Sequence, residues 1–372
     1  MRAASSSSLL VALCVAALAA CQPKTLPMTT EETERIQAMT ARMTTRCVGR
    51  YLLDLPEKFV LNSQSRAEIE DVTLEVQPMD RAKFEVLLEA RRRELEQLMQ
   101  PGRDRNRPHL RRSIPLATPS AGAVFDHAKS RTSSDRSGRT LEVFGWRDGF
   151  RIAATVKATD LTFPEDADDS IAKQLKSDVA EKLTHLLSVY ERVRGRKDNE
   201  IPVEQGVCFA NGFVQGPPSD KERIDMHHHL DGVEDVTFSY HYLSDMGLQT
   251  TTLLQRGNEI EANLAKVNGK TLRKGSRRGQ DVEFDEWLLQ RNSSEGTMLY
   301  DYTLEMNSKE GNAAKPLFVI DFTSGAKHPR PPLTLDEAAV DAPVGKASLG
   351  AAPSTALWDK VTATLRSRPG AF

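Results

Sequence analysis

Apolar and polar positions alternate along this chain in two stretches that share one grammar, short strands followed by a helix. In the first stretch Val48 to Leu55 reads as one strand ending at Pro56. Ile69 to Val76 reads as a second, with Ile69, Asp71, Thr73 and Glu75 set against Glu70, Val72, Leu74 and Val76. Asp80 predicts the cap of a helix carrying Phe84, Leu87, Leu88, Leu95 and Leu98 on one side and stopping at Pro101-Gly102. Polar, proline-punctuated Arg103 to Pro119 predicts an exposed loop. Strands follow at Ala123 to Ala128, Thr140 to Trp146 and Phe150 to Lys157, the last two meeting at Asp148-Gly149, a strong hairpin signal. Phe150, Ile152, Ala154 and Val156 share one face. A helix from about Ser170 to Val193 places Ile171, Leu175, Val179, Leu183, Leu186, Leu187 and Tyr190 on one stripe, with Gly195 as its stop. Short, charged Arg194 to Glu200 reads as a linker.

The second stretch opens with a strand over Val207 to Val214 that leads into Gly216-Pro217-Pro218. Val236, Phe238, Tyr240 and Tyr242 alternate as a half-buried strand, and Asn268-Gly269 marks a turn. Val282 to Gln290, Leu299 to Met306 and Leu317 to Thr323 predict three more strands. A last helix begins near Ser354, with Leu357, Trp358, Val361 and Leu365 on one face, before Pro369-Gly370. Each half therefore predicts a mainly antiparallel sheet with one or two packed helices, the α+β class. The expected domains are 46–195 and 200–372, with no sequence repeat between them.

Length supports the division, since roughly 350 mature residues exceed what one hydrophobic core holds. The net charge of −2 excludes a large field drawing the whole chain to nucleic acid or acidic lipid. The first residues read as targeting rather than structure. Arg2 supplies a positive charge, and the apolar run Leu9 to Ala20 is shorter than the about 20 residues a bilayer span needs. It ends in Leu18-Ala19-Ala20-Cys21, which resembles a bacterial lipobox. That resemblance implies a lipoprotein signal peptide over 1–20, acylation of Cys21 with palmitate-type chains, and a lipidated tether over 21–45. Gln22 after the cysteine favours the periplasmic face of the outer membrane. An ordinary secretory signal is the alternative.

Of the four cysteines, Cys14 leaves with the signal and Cys21 takes lipid, so the body keeps Cys47 and Cys208. An even pair in an oxidising compartment favours a disulfide, with two buried thiols as the alternative. The sequence has no G-x-S-x-G elbow, no H-E-x-x-H and no phosphate loop, and Ser137-Gly138 and Ser324-Gly325 lack a nucleophile's flanks. No catalytic residue, cofactor site or metal site is assigned. His227-His228-His229, with Asp225 and Asp231 nearby, invites a metal reading. Adjacent side chains on extended backbone point to opposite sides, however, and a polar loop explains the run equally. The Arg-rich stretch from Arg91 to Arg112 and the basic loop of Lys270, Arg273, Lys274, Arg277 and Arg278 read as solvated, self-paired surface or as a docking surface. Export sets nucleic acid aside.

Four segments carry a family resemblance. They are Cys47-Val48-Gly49-Arg50-Tyr51-Leu52-Leu53-Asp54-Leu55-Pro56; Gly206-Val207-Cys208-Phe209-Ala210-Asn211-Gly212-Phe213; Glu286-Trp287-Leu288 with the Pro316-Leu317 strand; and Ser348 through Leu357-Trp358 to Leu365-Arg366-Ser367-Arg368-Pro369-Gly370. In order and spacing they resemble the type VI secretion lipase-effector immunity proteins, the fourth class of Tle-cognate immunity proteins. The histidine run and Arg256 to Ala262 depart from that pattern. The resemblance implies a two-domain, non-enzymatic periplasmic protein that grips a phospholipase effector and keeps its lid from opening. The other readings are an envelope lipoprotein with a structural or assembly role and no toxin partner, and a lipid-active hydrolase.

Overall fold

The computed structural model describes residues 26–62, 65–99, 108–117, 120–129, 137–162, 176–327 and 342–372. Part of the expected tether is folded. Helix α1 (Thr30–Met39) starts in a capping box, where the Thr29 hydroxyl accepts from the Glu32 amide and the Glu32 carboxylate accepts from the Thr29 amide. Its Ile36 is buried in the main core. The strand expected from Val48 folds instead as a hairpin of β1 (Met43–Val48) and β2 (Tyr51–Pro56), turning at Gly49-Arg50. Gly49 takes φ +59°, and a Cβ there would lie 2.3 Å from the Tyr242 ring, so the turn requires glycine.

After β3 (Phe59–Leu61) the second expected strand is also a hairpin, β4 (Arg66–Ile69) and β5 (Val72–Pro78). Its turn residues Glu70 and Asp71 both adopt positive φ, a conformation that Asp tolerates but Glu does not advertise. Helix α2 (Arg81–Gln97) begins where Asp80 accepts from the Lys83 amide at 2.8 Å, and it buries Phe84 and Leu95. Its expected stop at Pro101-Gly102 lies outside the described residues. Part of the expected loop is a strand, β6 (Leu110–Pro115), paired with β7 (Ala121–Ala128). β8 (Gly138–Arg147) and β9 (Phe150–Thr159) turn at Asp148-Gly149, both at positive φ as expected. Helix α3 (Val179–Arg192) buries Leu186, Val189 and Tyr190, while Ser170, Ile171 and Leu175 lie outside the described residues. The expected linker is structured. β10 (Val193–Gly195) follows α3 directly, and Arg196 is fully buried.

The second half opens with a hairpin, β11 (Gly206–Phe209) and β12 (Gly212–Gln215), split at Ala210-Asn211 where one strand was expected. The histidine run lies in a strand rather than a loop, β13 (Glu222–Leu230), beside β14 (Val233–Leu243). Helix α4 (Gly257–Lys266) precedes β15 (Lys270–Arg278), a strand where a basic loop was expected. Next come β16 (Glu283–Asn292), β17 (Met298–Met306), β18 (Leu317–Ser324), the short β19 (Ala326–Lys327) and β20 (Ala342–Pro343), helix α5 (Ala351–Thr362) and β21 (Arg366–Ser367).

The fold is α+β, and the sheets of the two halves join. Among the described residues one thirteen-stranded antiparallel sheet runs in the order β15-β16-β17-β18-β14-β13-β4-β5-β9-β8-β7-β6, with β3 also on β13. β13 of the second half pairs with β4 of the first, from Glu222 opposite Ile69 to Asp225 opposite Arg66. The strands at its two ends, β15 and β6, are rich in Lys and Arg. Such residues protect a sheet edge from pairing with other chains, which explains strands where charge suggested loops.

One face of the sheet carries the main core. There α1, α3, α5 and the β1–β2 and β11–β12 hairpins pack on Leu74, Val143, Ile152, Ile224, Phe238, Tyr240, Phe318 and Phe322. On the opposite face α2 covers Phe125 and Phe144 at one end. At the other end α4 approaches Trp287, where a Cβ on Gly257 would lie 3.2 Å from the indole. Between these two helices the strands β5, β4, β13, β14 and β18 present partly exposed polar residues.

Candidate functional site

Two places gather the chemistry-bearing side chains: the seam between the halves, and the open sheet face behind it. The β1–β2 hairpin carries Cys47 into the seam and the β11–β12 hairpin carries Cys208. The two are joined by a disulfide with their Cα atoms 5.7 Å apart. Beside it the Gly49 amide donates to the Cys208 carbonyl at 2.9 Å, and the Cys208 amide donates to the Gly49 carbonyl at 2.8 Å. Leu52, Phe213 and Ile201 seal the bridge from water.

Buried arginines surround it. Arg196 donates from Nε to the Gly212 carbonyl at 3.0 Å and from Nη2 to those of Cys47 and Phe209 at 2.9 and 3.1 Å. Its Nη1 reaches the carbonyls of Lys197, Asp198 and Glu200. Burial lowers the Arg196 pKa to about 10, which leaves it charged at neutral pH. Arg50 holds Glu222 with two hydrogen bonds, of 3.1 Å from Nε and 2.5 Å from Nη2, and also reaches the Ala371 carbonyl. Tyr242 donates to the same carboxylate at 3.0 Å. Arg368 donates to the carbonyls of Pro202, Glu204 and Gly206. Burial would raise the Asp198 carboxyl pKa, but the hydrogen bond from His228 and the charges of Arg46 and Arg196 hold it below the usual carboxylate range. These guanidinium groups spend most of their donors on carbonyls and paired carboxylates, and so fix the backbone; the Arg368 Nε has no hydrogen-bond partner among the described residues.

Side chains of the histidine run alternate in direction. His228 points into the core side and bonds Asp198 at 3.0 Å, whereas His227 lies on the open face with its Nδ1 2.9 Å from the Ser239 hydroxyl. The three imidazoles therefore do not converge on one point. On that open face His241 Nδ1 bonds Asp225 at 2.6 Å and its Nε2 lies 3.7 Å from Asp321. The Thr303 hydroxyl donates to Asp321, and Arg291 to Asp301, both at 2.6 Å. The Asp225 hydrogen bond raises the His241 pKa against the lowering effect of burial, and Asp321 adds to the rise.

Ser239 and His227 place a hydroxyl beside a base, the first requirement of a nucleophile. Ser239 sits mid-strand with β13 and β18 on either side, so the surrounding amides serve the ladder rather than an oxyanion. The nearby Asp225 orients His241, not His227. Ser324 is fully buried, and its hydroxyl donates to the Leu349 carbonyl. In the basic stretches Arg91 pairs with Glu142 and Glu94, Arg273 with Glu286 and Asp359, and Lys274 with Glu261 over the Trp287 ring.

Cys21 lies outside the described residues. Local reading missed Arg50, Arg196, Arg368 and Glu222. Arg50 and Arg368 do stand within the segments that carry the family resemblance, which was the available signal.

The chain was compared with known proteins. It resembles an apo immunity protein TplEi of the type VI secretion system from Pseudomonas aeruginosa, with a TM-score of 0.63 at 17% identity over 88% of this chain and 97% of that one. A Tle4–Tli4 complex matches with a TM-score of 0.61 at 18% identity, over 88% and 98% of the two chains. TplEi complexed with an "L" peptide, again from Pseudomonas aeruginosa, matches at 0.56 and 17% identity, over 88% and 98%. At these identities the likeness establishes the fold. Comparison with curated proteins gave no match. Two family models match in order, the Tle cognate immunity protein 4 N-terminal domain over residues 44–196 and its C-terminal domain over 200–370. Carrying both domains in sequence, the chain belongs to the Tle cognate immunity protein 4 family.

Proposed function

We propose that this protein neutralises a lipolytic type VI secretion effector by binding it, without chemistry of its own. The observation that carries the reading is the consecutive match of both immunity domains across residues 44–370. The seam supports it, because a stoichiometric inhibitor gains from a surface that keeps its shape before the partner arrives. The structural neighbour solved as a Tle4–Tli4 complex supports a protein partner.

The partner is a phospholipase effector delivered by a sibling cell. The inhibitor occludes it and blocks lid opening across an interface on the order of 1,600 Å² or more. The protein acts in the periplasm, held through acyl chains on Cys21 at the inner face of the outer membrane. Nucleic acid, cofactor and small-molecule substrate have no part in this reading.

Co-expression with the lipase encoded beside it tests the proposal. The expected result is co-purification and loss of lipase activity in the complex. A lipase that stays fully active at saturating inhibitor overturns it. An envelope defect in cells that meet no attacker would favour the structural-lipoprotein alternative.

A further inference from the structure

Away from the seam, the loop after β14 holds two apolar side chains in solvent. Leu248 is 81% exposed and Met246 is 43% exposed. The backbone that carries them is tied down. Gly247, at φ +61°, donates its amide to the Gly311 carbonyl at 2.9 Å, and the Gln249 amide donates to the Lys309 carbonyl at 2.7 Å. The Gln249 side chain donates to the Met246 carbonyl at 2.8 Å. Contact with the neighbouring loop is so close that a Cβ on Gly311 would lie 2.4 Å from the Gly247 carbonyl oxygen. At the loop's base the Ser244 amide donates to the Glu222 carbonyl, and the Glu222 amide donates to the Ser244 hydroxyl. The tip is thereby fastened to the residue that Arg50 holds in the seam.

A fixed backbone leaves only side-chain freedom to be lost when such residues are buried against a partner. Most of the surrounding charges are paired and of both signs, Arg223 with Asp245, Lys315 with Glu310 and Lys221 with Asp71, while Lys309 makes no ion pair among the described residues. A tip built to enter an anionic bilayer would be ringed by unpaired cations. A mostly paired, near-neutral rim around an apolar centre is instead the composition of a protein–protein contact. The geometry points to a docking finger, with Met246 and Leu248 entering an apolar cleft of the partner protein. Resting on the function proposed above, that partner protein is the lipolytic effector.

The test uses the whole mature chain and the lipase encoded beside it, measuring affinity by calorimetry and residual lipase activity. Leu248→Ala should weaken binding about tenfold, and Met246→Asp with Leu248→Asp about a hundredfold or more. Melting temperature should stay as in the unsubstituted chain, because neither side chain packs inside. Gly311→Val should weaken binding while leaving both anchors present, since it displaces the finger. Unsubstituted affinity in the double variant overturns the inference. If instead the unsubstituted chain binds no lipase, the functional reading fails and the finger loses its partner with it. A Cys21→Ser chain that sediments with phosphatidylethanolamine–phosphatidylglycerol vesicles, and ceases to do so with Leu248→Asp, assigns the finger to the bilayer and also overturns the inference.

Discussion

Replacing both seam cysteines, Cys47→Ala with Cys208→Ala, should cost much of the stability of the protein while leaving its folded geometry in place. The bridge spans 161 residues of sequence. In the loop-closure relation a ring of that size removes about 17 cal/mol/K from the unfolded chain, roughly 5 kcal/mol at 25 °C. That figure is an upper bound, because compact unfolded chains have less freedom to lose, and a fall of about 2–5 kcal/mol is expected. The native arrangement should survive because the reciprocal Gly49–Cys208 amide bonds and the Arg196 donors hold both hairpins without the sulfurs. The assay is urea unfolding followed by the fluorescence of Trp146, Trp287 and Trp358, with the oxidised chain and the double variant side by side. The midpoint should drop and the slope should steepen, since an untied chain exposes more surface on unfolding. Coincident midpoints and slopes, with a normal non-reducing gel shift for the parent, would refute the entropic reasoning. Absence of that shift in periplasmic protein would show that the tie is not made there.

Arg196→Met should destabilise by more than about 3 kcal/mol in the same unfolding assay, because several buried carbonyls lose their donor together. Gly49→Ala should cost roughly 2–4 kcal/mol, from the left-handed backbone and the collision with the Tyr242 ring; a thermal melt equal to the parent's would contradict the packing described. His241 gains its proton more readily in the folded chain than at its ordinary value of 6.5. Its stabilisation is therefore complete below about pH 6.5 and is lost as pH rises through the higher folded value. Stability measured from pH 6 to 8.5 should show this decline, and His241→Gln should flatten it; an identical profile in the variant would exclude the residue.

What local pattern could reveal, it revealed well. Val236, Phe238, Tyr240 and Tyr242 are all fully buried, as their alternation requires, and Asp80 caps α2. The misreadings have physical causes. Gly49-Arg50 and Glu70-Asp71 are two-residue turns inside what looked like continuous strands, and a lone Gly49 or Asp71 within an alternating run is a weak turn signal. His227 to His229 and Lys270 to Arg278 looked like loops because polarity on an open face or a charged edge conceals a strand. Arg196 looked like linker because the Cys47, Phe209 and Gly212 carbonyls that enclose it stand elsewhere in the sequence. The pairing of β13 with β4 joins residues about 150 positions apart, and no local periodicity encodes it.

That pairing bears on anyone who would cut the gene in two. A fragment ending near residue 198 would bare the rim of β4, and its complement would bare the edge of β13 that now pairs with β3 and β4. Unsatisfied rims of this kind recruit other copies, so each fragment made alone should precipitate or run as large oligomers. The two segments recognised separately by family are, in material terms, halves of one object, and inhibitors built from this scaffold will have to be produced as a single polypeptide.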